Sequence, residues 1–266
     1  MKSIALRCVI ALILLISCVG SQPRANAADP DFSRVDALKA AEIDFQIAKE
    51  IVHNILTVCP PTECYYVGVG RSPTLLIAML QTLAPESAMN FPFSAYRQAI
   101  GERILLDYMQ RSDELELFKH FERRLPSEKV LRGRKILFLD TATYGDSLIT
   151  LDMWLRKFLA ERTKILPYEF YVFSLKGSVA QVKKRMADAQ PHLKMHGFEL
   201  PDGIPFAMHL GGETYDKAAE FTSYQAGHVS SDETPRPEYS SLKKRVAELL
   251  ASDQCTQDLV AKPALE

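Results

Sequence analysis

Two short segments of this chain carry residue types that hold small charged molecules. The first is Asp140-Thr141-Ala142-Thr143-Tyr144-Gly145-Asp146-Ser147. It follows Lys135-Ile136-Leu137-Phe138-Leu139, the clearest strand in the sequence and apolar in the manner of a buried parallel strand. A carboxylate at a strand end accepts hydrogen bonds from ligand hydroxyls or holds a metal. The hydroxyl-rich loop behind it, with Gly145, delivers backbone N–H groups to a helix amino terminus, a natural place for an anion. Asp146 and Ser147 serve equally well as caps of that helix. The second segment, Gly70-Arg71-Ser72-Pro73, closes the β-rich run Tyr65-Tyr66-Val67-Gly68-Val69. Arg71 reads there either as a bidentate phosphate ligand or as a surface arginine in a turn.

The elements around these loops are legible from periodicity. Ser33-x-x-Asp36 reads as a helix start, with the acid able to reach back to the cap. Leu38, Ala41, Phe45, Ala48, Val52 and Ile55 recur at steps of three and four, which predicts an amphipathic helix ending before Pro60. Thr74 to Leu83 reads as a buried helix. Met89 to Ser94 reads as a short strand that Pro92 confines to an edge or an end. Residues 98–125 read as helical, with a break around Ser112-Asp113. A helix over Leu148 to Leu159 carries the only tryptophan, Trp154. Further on come a strand over Tyr168 to Leu175, a helix over Val179 to Ala187, a last strand over Phe206 to Leu210 and a helix over Ser240 to Leu250. Gly211-Gly212 reads as a turn at the same mouth, and Tyr66 and Trp154 as core.

Strands alternating with helices predict an α/β fold, a mostly parallel sheet with helices on both faces. Ligands of such sheets bind beyond the carboxyl ends of the strands. No repeat or long linker divides residues 31–252, which read as a single domain followed by a polar tail, residues 253–266.

The strand, the acid and the loop together resemble the phosphoribosyltransferase family. Its hallmark is an apolar strand ending in two acids, then a Thr-Gly-x-Thr/Ser loop that cradles a 5′-phosphate. Matching Gly145 to the loop glycine puts Leu139-Asp140 on the acid pair and Ser147 on the final hydroxyl. Gly70-Arg71-Ser72 then falls where the family places its pyrophosphate loop. The resemblance covers residues 34 to about 210 and implies a phosphoribosyltransferase-like fold. It implies a phosphate-binding site of Gly70, Arg71, Ser72, Asp140, Thr141, Thr143, Tyr144, Gly145 and Ser147. Magnesium would enter only with a bound sugar phosphate, through Asp140 or Asp146. The chain departs from the pattern at Leu139 for the first acid, Tyr144 for the loop threonine and Asp146 for a second glycine. These departures predict anion binding without classical phosphoribosyl transfer.

Other functions share the same residues. Gly145-Asp146-Ser147-Leu148 spells the motif of the GDSL esterases, in which Ser147 would be the nucleophile and His209 or His228 its base. Against it, the motif lies mid-chain, and neither a Gly-x-Asn-Asp block nor a late Asp-x-x-His block is present. Asp140 and Ser147 are the candidate catalytic groups across these readings. A third reading is a non-catalytic envelope lipoprotein or interaction module.

The amino terminus predicts export. Lys2 and Arg7 precede an apolar run from Cys8 to Val19, followed by small and polar residues to Ala28. That run covers about 18 Å as a helix, short of the ~30 Å hydrocarbon core. Cleavage after Ala25-Asn26-Ala27 would release a soluble protein and make residues 1–27 a signal peptide. Leu15-Ile16-Ser17-Cys18 resembles a lipobox, in which residues 1–17 are removed and a lipid on Cys18 is the one membrane attachment. The expected location is periplasmic, secreted or lipid-anchored.

Removing residues 1–27 takes away Lys2, Arg7 and Arg24 and no acid, moving the formal charge from −1 to −4. Nucleic acid is therefore not an expected partner; an anionic small molecule is. In an oxidising compartment Cys59 and Cys64, flanking Pro60-Pro61-Thr62-Glu63, read either as a small-loop disulfide, which would leave Cys255 unpaired, or as two buried thiols. No second cysteine pair supports a zinc site, and His192 and His196 read as surface residues.

Overall fold

The computed structural model describes residues 37–70, 72–93, 111–141, 146–162, 166–175, 178–189, 191–200 and 236–253. Almost all belong to one compact unit, residues 31–249; of a second grouping, residues 1–30 and 250–266, only 250–253 are described. Residues 1–36, with the expected export signal and Cys18, lie outside the described residues. So do Cys255, the tail and the strand expected over 206–210.

Described elements alternate as expected. They are α1 (Ala37–Val58), β1 (Cys64–Val69), α2 (Thr74–Leu83), β2 (Ala88–Phe91), α3 (Arg111–Arg124), α4 (Glu128–Leu131), β3 (Lys135–Thr141), α5 (Asp146–Glu161), β4 (Tyr168–Leu175), α6 (Ser178–Ala189), β5 (Met195–Leu200) and α7 (Pro237–Ser252). The five strands pair in parallel in the order β2-β1-β3-β4-β5, so the fold is α/β with an all-parallel sheet. Among the described residues no helix is long and apolar enough to cross a membrane.

Both sheet faces are buried. One carries Val67, Val69, Phe91, Ile136, Phe138, Phe170 and Val172 against Phe118 and Phe121 of α3, Leu148, Leu151 and Trp154 of α5, and Val182 of α6. On the other face, Tyr171 donates to Asn54 of α1 at 2.6 Å, and α7 reaches α2 through Tyr239 and Gln81 at 3.0 Å. Gly68 faces α2 closely: a Cβ there would run into Ile77. The step from β1 to β2 uses α2 on this second face and moves toward one edge. The steps through α3, α5 and α6 use the first face and move the other way. Opposite directions on opposite faces give every crossover the same hand, as parallel sheets require.

Cys59 and Cys64 are joined by a disulfide, Cα to Cα 5.8 Å, which ties the end of α1 to the first residue of β1. Tyr66 donates its hydroxyl to the Cys59 carbonyl at 2.6 Å, closing the same corner.

Of the helical stretch expected over 98–125, residues 98–110 lie outside the described residues; α3 begins at Arg111, beside the expected break at Ser112-Asp113, and sets Leu117, Phe118 and Phe121 in the aromatic core. Two expectations are corrected. Leu38 is exposed, and the buried stripe of α1 runs instead through Ala40, Ala41, Asp44, Phe45, Ile47, Ala48, Ile51, Val52 and Ile55. His196 is not a surface residue: it lies in β5 and bonds Glu169 at 2.7 Å, its side chain 18% exposed. His192, on the turn before β5, is the exposed one, 3.9 Å from Asp152.

Candidate functional site

The two loops singled out by their chemistry leave neighbouring strands at the same end of the sheet. Gly68 of β1 pairs with Leu139 of β3, so continuing the register sets Val69 beside Asp140 and Gly70 level with Thr141, ~5 Å apart across the ladder. From β1 the chain turns toward one sheet edge, and from β3 toward the other. A crevice opens where neighbouring connections diverge, and doubly wound sheets bind ligands there.

The β1 side of this sheet end is shaped by Gly70. Its φ is +71°, and a Cβ would stand 2.9 Å from the Phe93 carbonyl oxygen. Any other residue would be both strained and crowded. Its N–H donates to the Phe91 carbonyl at 2.9 Å, anchoring the loop to the end of β2. Ser72 follows, half-buried in the turn, and Pro73 leads into α2, where the Ile77 N–H donates to the Pro73 carbonyl at 2.9 Å. Arg71 lies outside the described residues.

The β3 side presents Asp140, 6% exposed, and half-buried Thr141 at the end of the strand. Asp140 shares its face with Ile136 and Phe138 and stands between Val69 and Val172 on the adjoining strands. Burial in this apolar collar pushes its carboxyl well above the usual carboxylate range, and the Thr141 backbone N–H offsets only part of that. The carboxyl is thereby biased toward its neutral form, which donates as well as accepts.

Helix α5 begins at Asp146, so its amino end comes directly after this strand end. Four residues, 142–145, connect them, and Thr143, Tyr144 and Gly145 lie outside the described residues. Asp146 and Ser147 are in the first turn of α5; their side chains are not described, and neither are His209 and His228. The structure therefore brings Gly70, Ser72, Asp140, Thr141 and the amino end of α5 to one mouth.

The expected magnesium contacts are Asp140 and Asp146: Asp140 is buried at the end of β3, and the side chain of Asp146 lies outside the described residues. Among the described residues no three His, Cys, Asp or Glu side chains form a metal-binding group.

One residue of this mouth escaped the sequence. Ser174, near the carboxyl end of β4, is fully buried, and its Oγ has no hydrogen-bond partner. Nothing in Tyr168-Glu169-Phe170-Tyr171-Val172-Phe173-Ser174-Leu175 marks it out, because a strand serine has no local signature. No family model and no curated protein matches the chain.

Proposed function

We propose that the protein is exported and that its α/β domain binds a phosphorylated or otherwise anionic small molecule in the crevice between β1 and β3, without classical phosphoribosyl transfer. One observation carries this reading. The adjacent parallel strands β1 and β3 bring the Gly70 loop and the Asp140 loop to one mouth, beside the amino end of α5. A helix amino end supplies N–H donors and a favourable field for an anion. Gly70 lets backbone approach without a side chain in the way, and a neutral Asp140 would hydrogen-bond an anion instead of repelling it.

The phosphoribosyltransferase-like assignment is supported by the order of elements and by these two loops. Against transfer stand the loss of one acid at Leu139 and the apolar setting of the remaining one. The activated sugar diphosphate used by that family is also an intracellular metabolite, out of reach of an exported protein.

Calorimetric titration of the mature protein with inorganic phosphate and ribose 5-phosphate tests the reading. Saturable binding is expected, weakened about tenfold by Arg71→Ala, as for loss of a charge-assisted bond. No binding of either anion up to about 10 mM, weaker than any useful affinity, would overturn it. Mass spectrometry of the exported protein gives the amino terminus: Ala28 for cleavage after Ala27, an acylated Cys18 for lipidation, and an intact Met1 if there is no export.

A further inference from the structure

The corner between α3 and β3, at the amino end of the sheet, is basic out of proportion to the chain. Residues 123–134 hold five basic residues and one acid, in a protein with 32 basic and 33 acidic residues in all. Arg134 is engaged beneath the corner, donating to the Leu131 carbonyl at 2.9 Å and the Val130 carbonyl at 2.8 Å. Arg123, Lys129 and Arg132 are exposed, and Arg124 is half-buried.

Two features of this corner do not serve the fold. Leu131 reaches the core, but its neighbour Val130 is 42% exposed, between Lys129 and Arg132. Arg132 has a φ of +52°, and among the described residues no other non-glycine residue has a positive φ. Its N–H ends α4 by donating to the Glu128 carbonyl at 2.9 Å, a position where helices favour glycine or asparagine. A longer side chain is strained there. The Arg132 guanidinium is 3.6 Å from Glu86, but both side chains are largely exposed, and such pairs contribute little. Strain kept at an exposed residue without a fold contact to match it points to a contact outside the chain.

We infer that the α4 corner is a docking surface for an anionic lipid bilayer, with Lys129 and Arg132 on the phosphodiesters and Val130 at the outer acyl carbons. The site lies at the opposite end of the sheet from the anion site proposed above and does not depend on it. A bilayer interface offers anionic and apolar material side by side, which an apolar residue between two basic ones matches. A soluble anion would leave Val130 in water. The corner is also preformed: Arg134 ties it to Ser87 Oγ at 2.7 Å and to the carbonyls of Pro61 and Glu86, so docking orders little. Glu86 and Glu128, both exposed, temper the charge and make the attachment weak and salt-dependent. Strand β3 runs from this corner, Lys135 to Thr141, so docking sets the mouth ~20 Å from the bilayer and facing away from it.

Val130→Trp adds an exposed tryptophan to the buried Trp154 and reports contact whether or not Cys18 carries a lipid. On phosphatidylcholine vesicles containing about a third phosphatidylglycerol, its emission should shift to the blue and acrylamide quenching should fall. Neither change is expected with phosphatidylcholine alone, and about 0.5 M salt should reverse both. In the same background Lys129→Gln and Arg132→Gln should each weaken vesicle affinity about fivefold, the share of one basic residue near a charged surface. Arg132→Gly should weaken it equally while raising the melting midpoint by about 2 °C, because it relieves the left-handed residue. No blue shift on anionic vesicles, an equal shift on neutral ones, or affinity indifferent to both charges would overturn the inference. So would an Arg132→Gly variant that melts lower, since Arg132 then serves the fold. Binding of dextran sulfate through these charges, with vesicles leaving the tryptophan unchanged, would assign the corner to a soluble polyanion and overturn it as well.

Discussion

Glu169, at the amino end of β4, and Asp140, at the carboxyl end of β3, are carboxyl groups of one sheet that their surroundings push in opposite directions. Burial alone would raise Glu169. Hydrogen bonds from Lys135 at 2.8 Å and His196 at 2.7 Å, with the charges of Lys135 and Lys194, outweigh it and hold the carboxyl below its usual range. Asp140 has burial without such partners and is pushed up. The contrast extends beyond the two acids. At the amino end, Arg134 donates to the carbonyls of Leu131, Val130, Pro61 and Glu86 and to Ser87 Oγ, and stands 5.3 Å over the Tyr65 ring. At the carboxyl end stand the left-handed Gly70, the neutral-biased Asp140 and the unbonded Ser174 Oγ. One end spends its polar groups on the fold. Among the described residues, the other leaves the Ser174 hydroxyl without a partner.

The largest test of this contrast is Arg134→Ala. It strips the clamp from the amino end and should cost about 3 kcal/mol, the scale of a lost network of charge-assisted bonds, read by urea denaturation. A cost below about 1 kcal/mol, the value of one ordinary bond, would mean that this end is held otherwise.

Acidification should next expose the apolar character of the opposite end, where His120 of α3 is buried 5.2 Å from the Phe91 ring. Burial, then the charge of Arg124, lower its pKa from 6.5 to about 4 against the Pro92 carbonyl. The unfolded chain therefore takes the proton first. Stability is complete above the unfolded pKa of about 6.5 and is lost as pH falls through the folded value of about 4, by up to about 3 kcal/mol. His120→Gln should flatten stability between those values; an unchanged slope would remove His120 as the cause.

Glu169→Gln should cost about 1–2 kcal/mol at neutral pH by leaving the half-buried Lys135 without its anion. Because the Glu169 carboxyl is lowered in the folded state, its contribution is present above the unfolded value and vanishes as pH falls through the folded one. Comparing urea midpoints above and below the ordinary carboxylate range should show the cost only in the former.

The smallest effect has the opposite sign. Asp140 binds its proton more tightly when folded, so its contribution is complete below the unfolded pKa and is lost as pH rises through the raised one. Asp140→Asn should therefore be at least as stable as wild type at neutral pH, with the advantage shrinking toward acid. A loss at neutral pH would place Asp140 with Glu169 as a structural acid and erase the contrast.

Strand β3 was legible because its apolar run ends abruptly in Asp140, and the Cys59–Cys64 pair because two prolines shorten the loop between them. Strand β5 was not. Lys194-Met195-His196-Gly197-Phe198-Glu199 alternates weakly, since Gly197 takes a position that Val179 of α6 would crowd in any larger residue, and Glu199 is exposed. Its pairing with β4 is what makes it a strand.

By itself the sequence determined the alternation of strands and helices, both loops and the residue types they carry. Each follows from local patterning over a few residues. Only the tertiary structure decided that β1 lies beside β3, that Asp140 is enclosed by two valines, and that Ser174 is buried next to it. Parallel pairing joins segments about 70 residues apart, as Gly68 and Leu139 show, and no local pattern records which strands will meet. A side chain's proton and its missing partner depend on those neighbours.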